Sequence, residues 1–333
     1  MKLIAESAWH HEGDINFFMD LVTKILRSEA SDVLKFHLSL NIEEYASTDH
    51  PWYEIGKRNL FSLDQWTEIF KKVKEKKKEL LLLYNDQESI EFGSSFNPEF
   101  VEIHSVALND IFLLDCLKEN INEDTGIFLG VGGCSFEEID AAVNYLNHEN
   151  IILMFGFQNY PTKYSDINFR KVKALMEIFS SYEFGYADHC SWDEENNEMI
   201  TLAGASLGMS FIEKHVTTVL GEQRTDFQSA ISIDQLISLR EKLKVLEECL
   251  GTGQMELNDA EKKYSIYGPM KKAGLYNQNL EKGHSFSKQD FFFKRTKEVS
   301  ELSQLQVLNL LGKKIRHKVQ EGNFIKQSDF EKS

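Results

Sequence analysis

Positive charge is scarce in this chain of 333 residues. Lysine and arginine together number 37 against 53 aspartates and glutamates, which gives a net charge of -16. Nucleic acids and anionic membrane surfaces bind cationic protein faces, so this balance argues against both kinds of partner. It is typical of a soluble cytoplasmic protein.

Cysteine and long apolar segments are scarce as well. The four cysteines form no CxxC pair and no short-range pairing, which argues against a disulfide framework and against a zinc knuckle. No segment approaches the roughly 18 consecutive apolar residues that suggest a membrane span. The short apolar run before Glu6 does not resemble a secretion signal. We therefore expect reduced thiols and a cytoplasmic location.

Short apolar runs, in contrast, recur along the first 250 residues. Eight runs rich in Leu, Ile, Val and Phe alternate with segments of helical spacing, at 3–7, 33–38, 80–84, 100–105, 126–131, 151–157, 184–188 and 211–216. Continuous apolar strands between helices indicate a parallel sheet covered on both faces. Eight such repeats over about 250 residues predict a (β/α)8 TIM barrel, with a doubly wound open sheet as the competing fold.

Helix start signals support this alternation. Three segments begin with a capping-box pattern, in which a serine is followed three residues later by Gln or Glu. The pairs are Ser62 with Gln65, Ser135 with Glu138, and Ser232 with Gln235.

The strand and helix pattern ends after Leu250. The polar, glycine-containing stretch 251–265 is interpreted as a linker, so we predict a barrel over 1–250 and a second domain over 266–333. Within that domain, 283–291 and 322–330 share a glycine, an apolar residue three positions on, and Asp-Phe. Two copies so short suggest paired turn–strand units of a small β-rich domain, with coincidence as the alternative.

Polar residues gather at the predicted C-terminal ends of the strands, where barrel enzymes place their reactive groups. His189 and His215 lie 26 residues apart, about one strand–helix step, so both imidazoles can reach one rim as half of a divalent-metal site. Hydrogen-bonded core histidines are the alternative. Alternation along the strand places Glu213 on the same side as His215 and points Lys214 outward.

Three further features of the sequence have more than one interpretation. Asp188 could orient His189 or cap the helix that follows. Cys190 points to the opposite face of the strand from His189, so a thiol nucleophile activated by that imidazole is disfavoured. The glycine-rich run 130–133 could offer backbone N–H groups to an anion or form a tight turn.

Several motifs, in order along nearly the whole chain, resemble those of the sialic acid synthases, which make nonulosonic acids. AESAWHHEGD resembles their AEIGxNHxGD, VLKFHL their VKFQ, and NYPTKYSDINF their YPTPxEDxNL. YADH is similar to YSDHT, and IEKHVTT with RTDFQSAIS to EKHFTLD and GPDHxxSL. LYNQNLEKGHSFSKQDFFFKR resembles the antifreeze-like module of these proteins. The resemblance implies a barrel followed by an antifreeze-like (SAF) β-clip domain.

The resemblance also implies an activity and the residues that carry it. The activity is the condensation of phosphoenolpyruvate with an N-acylated amino sugar, assisted by a divalent ion, Mn²⁺ or Mg²⁺. The metal ligands would be His189 and His215. Catalytic roles fall on Glu6, Lys35 and Tyr160, with Lys35 as an anion-binding cation. Candidate substrate-binding residues are His37, His104, Ser105, Gln158, Asp226 and Arg295. In the family, the arginine at the position of Arg295 reaches the active site of a neighbouring subunit, which implies a domain-swapped homodimer.

The motifs that hold phosphate in the family differ in this chain. The family's KIGSGE aligns with EIHSVA, so Glu102 stands at the position of the family's lysine. The family's STGM aligns with GVGG. Ala187 replaces the serine of SDH, and His37 replaces the glutamine of VKFQ. Replacing a phosphate-facing lysine by glutamate turns attraction into repulsion, roughly 4 kcal/mol at 4 Å with an effective dielectric constant near 20.

Two other hypotheses are therefore considered beside the synthase. One is a barrel that binds a metal and a sugar-like ligand without phosphoenolpyruvate and acts as an aldolase or epimerase. The other is a non-catalytic sugar-binding subunit.

Overall fold

The computed structural model describes residues 1–156 and 159–331. The chain forms two compact units, Met1–Gly251 and Thr252–Ser333. None of the helices in the described part of the chain is long and apolar enough to cross a membrane.

Eight parallel strands close into a barrel in the first unit, which confirms the predicted fold. Strands β1 to β8 cover Lys2–Glu6, Val33–Leu38, Glu79–Tyr84, Phe100–Ile103, Gly126–Gly130, Ile151–Phe155, Glu183–Ala187 and Phe211–Thr217. Strand β1 pairs with both β2 and β8, which closes the sheet and excludes the open doubly wound alternative. A two-residue strand, β9 (Ile231–Ser232), pairs with the end of β8.

Helices connect the strands and cover the outside of the barrel. They are α1 (Ile15–Ser28), α2 (Ile42–Tyr45), α3 (Pro51–Arg58), α4 (Leu63–Glu75), α5 (Gln87–Ser94), α6 (Ile111–Asn120), α7 (Phe136–Leu146), α8 (Tyr164–Ile167), α9 (Phe169–Ile178), α10 (Asn197–Ala205) and α11 (Ile233–Leu250). All three predicted capping boxes form, at the starts of α4, α7 and α11. In each box the serine side chain and the side chain three residues later accept each other's backbone N–H, which satisfies two donors that the helix leaves unpaired.

The barrel interior is apolar at one end and polar at the other. Phe100, Phe128 and Phe211 pack edge to face in its lower layer, with ring centroids 4.9 to 5.4 Å apart. Because side chains on a strand alternate between faces, the inward residue two positions further along points into the next layer. On β4 and β8 these next residues are Glu102 and Glu213. The aromatic layer therefore forms the floor beneath a ring of charged groups.

The second unit contains an antiparallel pair, β10 (Ala273–Tyr276) and β11 (Phe291–Lys294), and two short helices, α12 (Asp259–Tyr264) and α13 (Gln304–Leu308). Helix α12 lies inside the stretch 251–265, which was predicted to be a linker.

The internal sequence similarity of the second unit corresponds to a repeated turn. Gly283 and Gly322 both have positive φ, 88° and 79°. Asp290 and Asp329 are both buried, and each carboxylate accepts a hydrogen bond from the backbone N–H three residues earlier, at 2.7 and 2.9 Å. The two copies thus share a conformation as well as a pattern.

Candidate active site

A cavity of about 420 Å³ lies at the C-terminal end of the barrel strands. It is lined by nine of the candidate residues: Glu6, Lys35, His37, His104, Ser105, Tyr160, His189, His215 and Asp226. Gln158 lies outside the described residues. Arg295 belongs to the second unit, where its Nε donates a hydrogen bond to the Pro269 carbonyl at 2.9 Å.

Lys35 lies among three carboxylates. Its Nζ is 2.8 Å from Glu102, 3.0 Å from Glu213 and 3.2 Å from Glu6, and its side chain is only 3% exposed. Burial alone would lower the pKa of Lys35, but the three carboxylates raise it well above its usual value, so the ammonium stays charged. Where the sequence predicts an anion-binding cation, the structure shows a positive charge already matched by internal partners.

The three carboxylates differ in their affinity for protons. Burial alone would raise the pKa of Glu6, yet Lys35 and His215 hold it well below its usual value. Burial and the neighbouring Glu6 raise the pKa of Glu213 well above its usual value. Burial also raises the pKa of Glu102, although Lys35 opposes it. Glu6 is thus the most firmly ionised carboxylate of the group.

His37 extends this network toward the cavity. Its Nε2 is hydrogen-bonded to the carboxylate of Glu6, and its side chain is 18% exposed. The indole of Trp9 packs edge-on against its ring at a centroid distance of 5.9 Å.

His104 and Ser105 lie where β4 ends in the 3-10 turn Ser105–Ala107. Nδ1 of His104 accepts a hydrogen bond from the Val106 N–H at 3.3 Å. Burial and the neighbouring His37 lower the pKa of His104 to about 3, so its ring is neutral near pH 7.

His189, Glu213 and His215 form the candidate metal centre. One potential ligand atom from each lies within 4.8 Å of the others, and all three side chains are buried. Nδ1–H of His189 donates to the Ala187 carbonyl at 3.0 Å, which selects the tautomer that binds metals through Nε2.

The protonation and hydrogen bonding of these groups fit a divalent ion. Burial and the neighbouring His215 lower the pKa of His189 to about 3, so this imidazole is neutral. Nδ1 of His215 is buried and has no hydrogen-bond partner among the described residues. Two imidazoles and a carboxylate suit a divalent transition metal, and a bound ion would displace the proton that Glu213 otherwise retains.

A buried ion pair lies behind the two histidines. Lys214 Nζ is 3.1 Å from Asp188, and Asp188 also accepts a hydrogen bond from the Thr201 hydroxyl. The Ala187 carbonyl, and not Asp188, is the partner of His189 Nδ1. The interpretation of Asp188 as the residue that orients His189 is therefore wrong. Lys214 points away from the barrel interior as predicted, but it is only 1% exposed and donates to Asn197 in α10 at 2.9 Å. The pair links the end of β7 to the middle of β8.

Of the two remaining sequence features, Cys190 and the glycine-rich run 130–133, only Gly130 lines the cavity. Cys190 is fully buried and does not line the cavity. In the glycine-rich run, the Val131 N–H donates to the Met154 carbonyl at 2.9 Å. A Cβ on Gly130 would lie 2.7 Å from the Ser105 nitrogen, so glycine here permits a close approach of two strand ends. These contacts favour the tight-turn interpretation over an anion site.

Tyr160, Asp226 and Arg224 also line the cavity, and the Tyr160 ring lies 5.8 Å from the His189 ring and 5.9 Å from the His215 ring. The Tyr160 hydroxyl donates to the Asp226 carbonyl, and the Asp226 carboxylate accepts from the Trp9 N–H at 3.2 Å. Burial and Asp226 raise the pKa of Tyr160, so its hydroxyl remains a donor. The Arg224 guanidinium donates to the backbone carbonyl of His10 at 2.8 Å, so this cation too has an internal partner.

Three aromatic side chains form a wall of the cavity that the sequence did not predict. Trp9, Tyr45 and Trp52 pack edge to face, with centroids 6.1 and 5.5 Å from the Trp9 ring. Tyr45 and Trp52 come from α2 and α3, in the long connection after β2, where no strand-end signal exists. Trp52 is 39% exposed. Such a wall suits the C–H face of a sugar ring or an acyl group.

Residues 27–255 match the model of the NeuB family, which covers more than half of the chain. The chain belongs to the NeuB family. The resemblance to the sialic acid synthases is thereby confirmed.

Individual relatives of this NeuB chain are distant but of similar length. It is 23% identical over 344 residues to the N,N'-diacetyllegionaminic acid synthase of Campylobacter jejuni, covering 98% of both chains. It is 25% identical over 331 residues to an uncharacterised protein of Methanocaldococcus jannaschii, covering 98% of this chain and 94% of that protein.

Two solved structures share the fold of the NeuB chain. One is the N-acetylneuraminic acid synthetase of Leptospira borgpetersenii, with a TM-score of 0.71 and 22% identity over 78% of this chain and 88% of that one. The other is a putative spore coat polysaccharide biosynthesis protein E of Chromobacterium violaceum, with a TM-score of 0.79 and 15% identity over both complete chains.

Proposed function

We propose that this NeuB-family protein is a metal-dependent enzyme that forms a carbon–carbon bond at the carbonyl carbon of a sugar, in the manner of a nonulosonic acid synthase. The observation that carries the proposal is the His189–Glu213–His215 group in the barrel cavity. A divalent ion held by these residues, Mn²⁺ or Mg²⁺, would polarise the sugar carbonyl and stabilise the negative charge that develops on its oxygen. The proposed acceptor is an N-acylated amino sugar.

The chain's own residues would position this acceptor. The Asp226 carboxylate can accept hydrogen bonds from sugar hydroxyls, while the Tyr160 hydroxyl fixes the Asp226 backbone. The aromatic wall of Trp9, Tyr45 and Trp52 provides an apolar surface for the ring or the acyl group. Directed polar groups beside an apolar wall are the usual composition of a site for a small polar molecule.

Two candidate reactions differ in the donor molecule that is added to the sugar. Phosphoenolpyruvate is the donor that the family resemblance implies, and six residues at family positions line one cavity: Glu6, Lys35, Tyr160, His189, His215 and Asp226. Phosphoenolpyruvate carries a phosphate and a carboxylate, however, and Lys35 is already surrounded by three carboxylates. Glu102 at the phosphate-facing position therefore favours a donor without phosphate, and phosphoenolpyruvate condensation is the second candidate.

A binding and turnover experiment separates these candidates. The chelator-treated protein is titrated by calorimetry with Mn²⁺, then with N-acetylmannosamine or phosphoenolpyruvate, and phosphate release is assayed with all three present. We expect sugar binding that requires Mn²⁺, and no phosphate release. Phosphate release together with an ulosonic acid product would establish the second candidate. Sugar binding without any carbon–carbon bond chemistry, across a panel of sugars and donors, would support the non-catalytic subunit.

The variant Glu102→Lys is expected to strengthen phosphoenolpyruvate binding. Two cations would then face two carboxylates, Glu6 and Glu213, and one of them could pair with phosphate. Exchanging repulsion for attraction at this position should strengthen binding at least about 100-fold, equivalent to roughly 2.7 kcal/mol. Calorimetry with phosphoenolpyruvate measures the change.

Glu102→Gln is the matched control for this prediction. It removes the repulsion without adding a cation, so we expect a smaller gain in affinity than for Glu102→Lys. An unchanged affinity in Glu102→Lys would show that this position does not face the donor.

We further propose that the protein is a cytoplasmic enzyme with an antifreeze-like C-terminal domain. We propose that it forms a domain-swapped homodimer in which Arg295 of one subunit reaches the cavity of the other. The proposal is supported by the resemblance of the segment LYNQNLEKGHSFSKQDFFFKR, which ends at Arg295, to the family's antifreeze-like module. Analytical ultracentrifugation tests the dimer. If Arg295→Ala weakens sugar binding without changing the oligomeric state, it supports the role of the guanidinium.

A further inference from the structure

We infer that His37, oriented by Glu6, is a general base that removes a proton from the carbon next to the carbonyl group of an unphosphorylated donor. The reaction would then be an aldol addition or its reverse. This inference rests on the proposed function for the acceptor sugar and extends it to the donor.

The geometry of His37 is that of an oriented imidazole. Its Nε2 is bonded to the Glu6 carboxylate, which places the ring proton on Nε2 and the lone pair on Nδ1. Among the described residues, His37 Nδ1 has no hydrogen-bond partner. At 18% the His37 side chain is more exposed than Lys35 at 3% or His215 at 8%, and it lines the cavity. It is thus the member of the charged network best placed to meet a ligand.

Glu6 is well suited to hold this ring. One of its oxygens contacts His37, while the other lies 3.2 Å from Lys35 and 3.5 Å from His215. A carboxylate that holds an imidazole in one tautomer and stabilises the imidazolium formed on proton transfer is the arrangement used in catalytic triads. Trp9 packs edge-on against the His37 ring and limits its rotation. Glu6 is in this scheme a positioning residue and His37 the group that meets the donor.

The proposed aldol addition needs no leaving group. His37 takes a proton from the donor carbon, and that carbon forms the new bond to the aldehyde carbon of the sugar. The aldehyde oxygen then takes up one proton, which His37 returns. Condensation with phosphoenolpyruvate instead expels phosphate, and it needs cations where this chain has Glu102. This chain has His37 and Glu102 where the family has glutamine and lysine. Together, the two replacements add a base and remove a phosphate site.

Proton exchange at the donor carbon tests the inference directly. The protein is incubated in D₂O with Mn²⁺ and N-acetylmannosamine, and with pyruvate or dihydroxyacetone as the donor probe. Incorporation of deuterium into the probe is followed by mass spectrometry. We expect exchange by the unmodified protein and a decrease of at least about 100-fold in His37→Gln, since general bases typically contribute 10²- to 10⁴-fold. Mn²⁺ affinity should change less than about threefold in this variant, because His37 is not among the three candidate ligands.

Two further variants separate a chemical role from a structural one. His37→Ala should regain exchange when imidazole is added to the solution, which a purely structural ring would not allow. His148→Gln is the matched control, because this histidine lies in the turn before β6 at the opposite end of the barrel, and its exchange rate should stay unchanged.

The results that would overturn the inference differ from those that would overturn the proposed function. Wild-type exchange rates in His37→Gln, or no imidazole rescue of His37→Ala, would exclude His37 as the base. A protein that binds Mn²⁺ and the sugar but exchanges neither probe would also exclude it, and would leave the proposed acceptor site intact. Failure to bind Mn²⁺ and the sugar would overturn the proposed function itself.

Discussion

Replacing Lys35 by methionine is expected to lower the free energy of unfolding by about 3–5 kcal/mol at pH 7.5, the range seen when one partner of a buried ion pair is removed. The variant leaves Glu6, Glu102 and Glu213 together in the barrel without a cation. Methionine has nearly the same length as lysine, so the loss reports charge more than packing. Urea unfolding followed by circular dichroism measures it.

The effect of Lys35→Met should depend on pH in a defined direction. In the unmodified protein the folded-state pKa of Glu6 is lowered, despite its burial, by Lys35 and His215. Its contribution to stability is therefore present above the unfolded pKa of about 4.3 and is lost as pH falls. Without Lys35, the buried carboxylates would have raised folded-state pKa values, and such groups lose stability as pH rises. The difference between the two proteins should thus be largest near pH 7.5 and shrink toward pH 4.

Two comparisons make the Lys35 prediction specific. Lys24→Met removes an exposed partner of Asp20 and should change stability by no more than about 0.5 kcal/mol. The double variant Lys35→Met with Glu102→Gln removes one of the unpaired charges and should recover more than about 1 kcal/mol. A Lys35→Met protein as stable as the original at pH 7.5 would mean that the three carboxylates do not depend on this ammonium.

Replacing His215 by alanine is expected to weaken Mn²⁺ binding by more than about 100-fold, because even the partners of metal ligands typically contribute 10- to 100-fold. His189→Ala should have a similar effect. Each variant removes one of the two imidazoles in the three-residue group. Calorimetric titration of the chelator-treated protein with Mn²⁺ provides the affinity.

His148→Ala is the control for the metal prediction, since it removes a histidine from the opposite end of the barrel. We expect its Mn²⁺ affinity to match that of the unmodified protein. Retention of full affinity in both His189→Ala and His215→Ala would place the metal elsewhere, and an equal loss in His148→Ala would point to nonspecific binding.

Local patterns predicted a large part of this protein. The limits of β2, Val33–Leu38, agree with the apolar run 33–38, and the capping boxes form where the serines indicate. Such signals are local, because strand alternation and helix capping involve residues only a few positions apart. The spacing of His189 and His215 also sufficed to place both imidazoles at one rim, since one strand–helix step separates them.

The charged network of the cavity was not predictable in the same way. The family motifs predict Lys35 as a cation for an external anion and Glu102 as a charge facing phosphate. The structure pairs them at 2.8 Å, although they are 67 positions apart in the chain. The aromatic wall is a similar case, because Trp9 follows β1 while Tyr45 and Trp52 follow β2. No local spacing connects these residues.

The sequence by itself determined the barrel, its family and two histidines as candidate metal ligands. These conclusions depend on short-range periodicity and on motifs that remain in order along the chain. Only the tertiary structure decided which charges meet and how exposed each one is. Closure of the barrel brings β1, β2, β4 and β8 around Lys35, and burial there raises the pKa of Glu213 and Glu102 while Glu6 stays ionised. Charge interactions depend on distance and on exclusion of water, and both are set by contacts between residues distant in sequence.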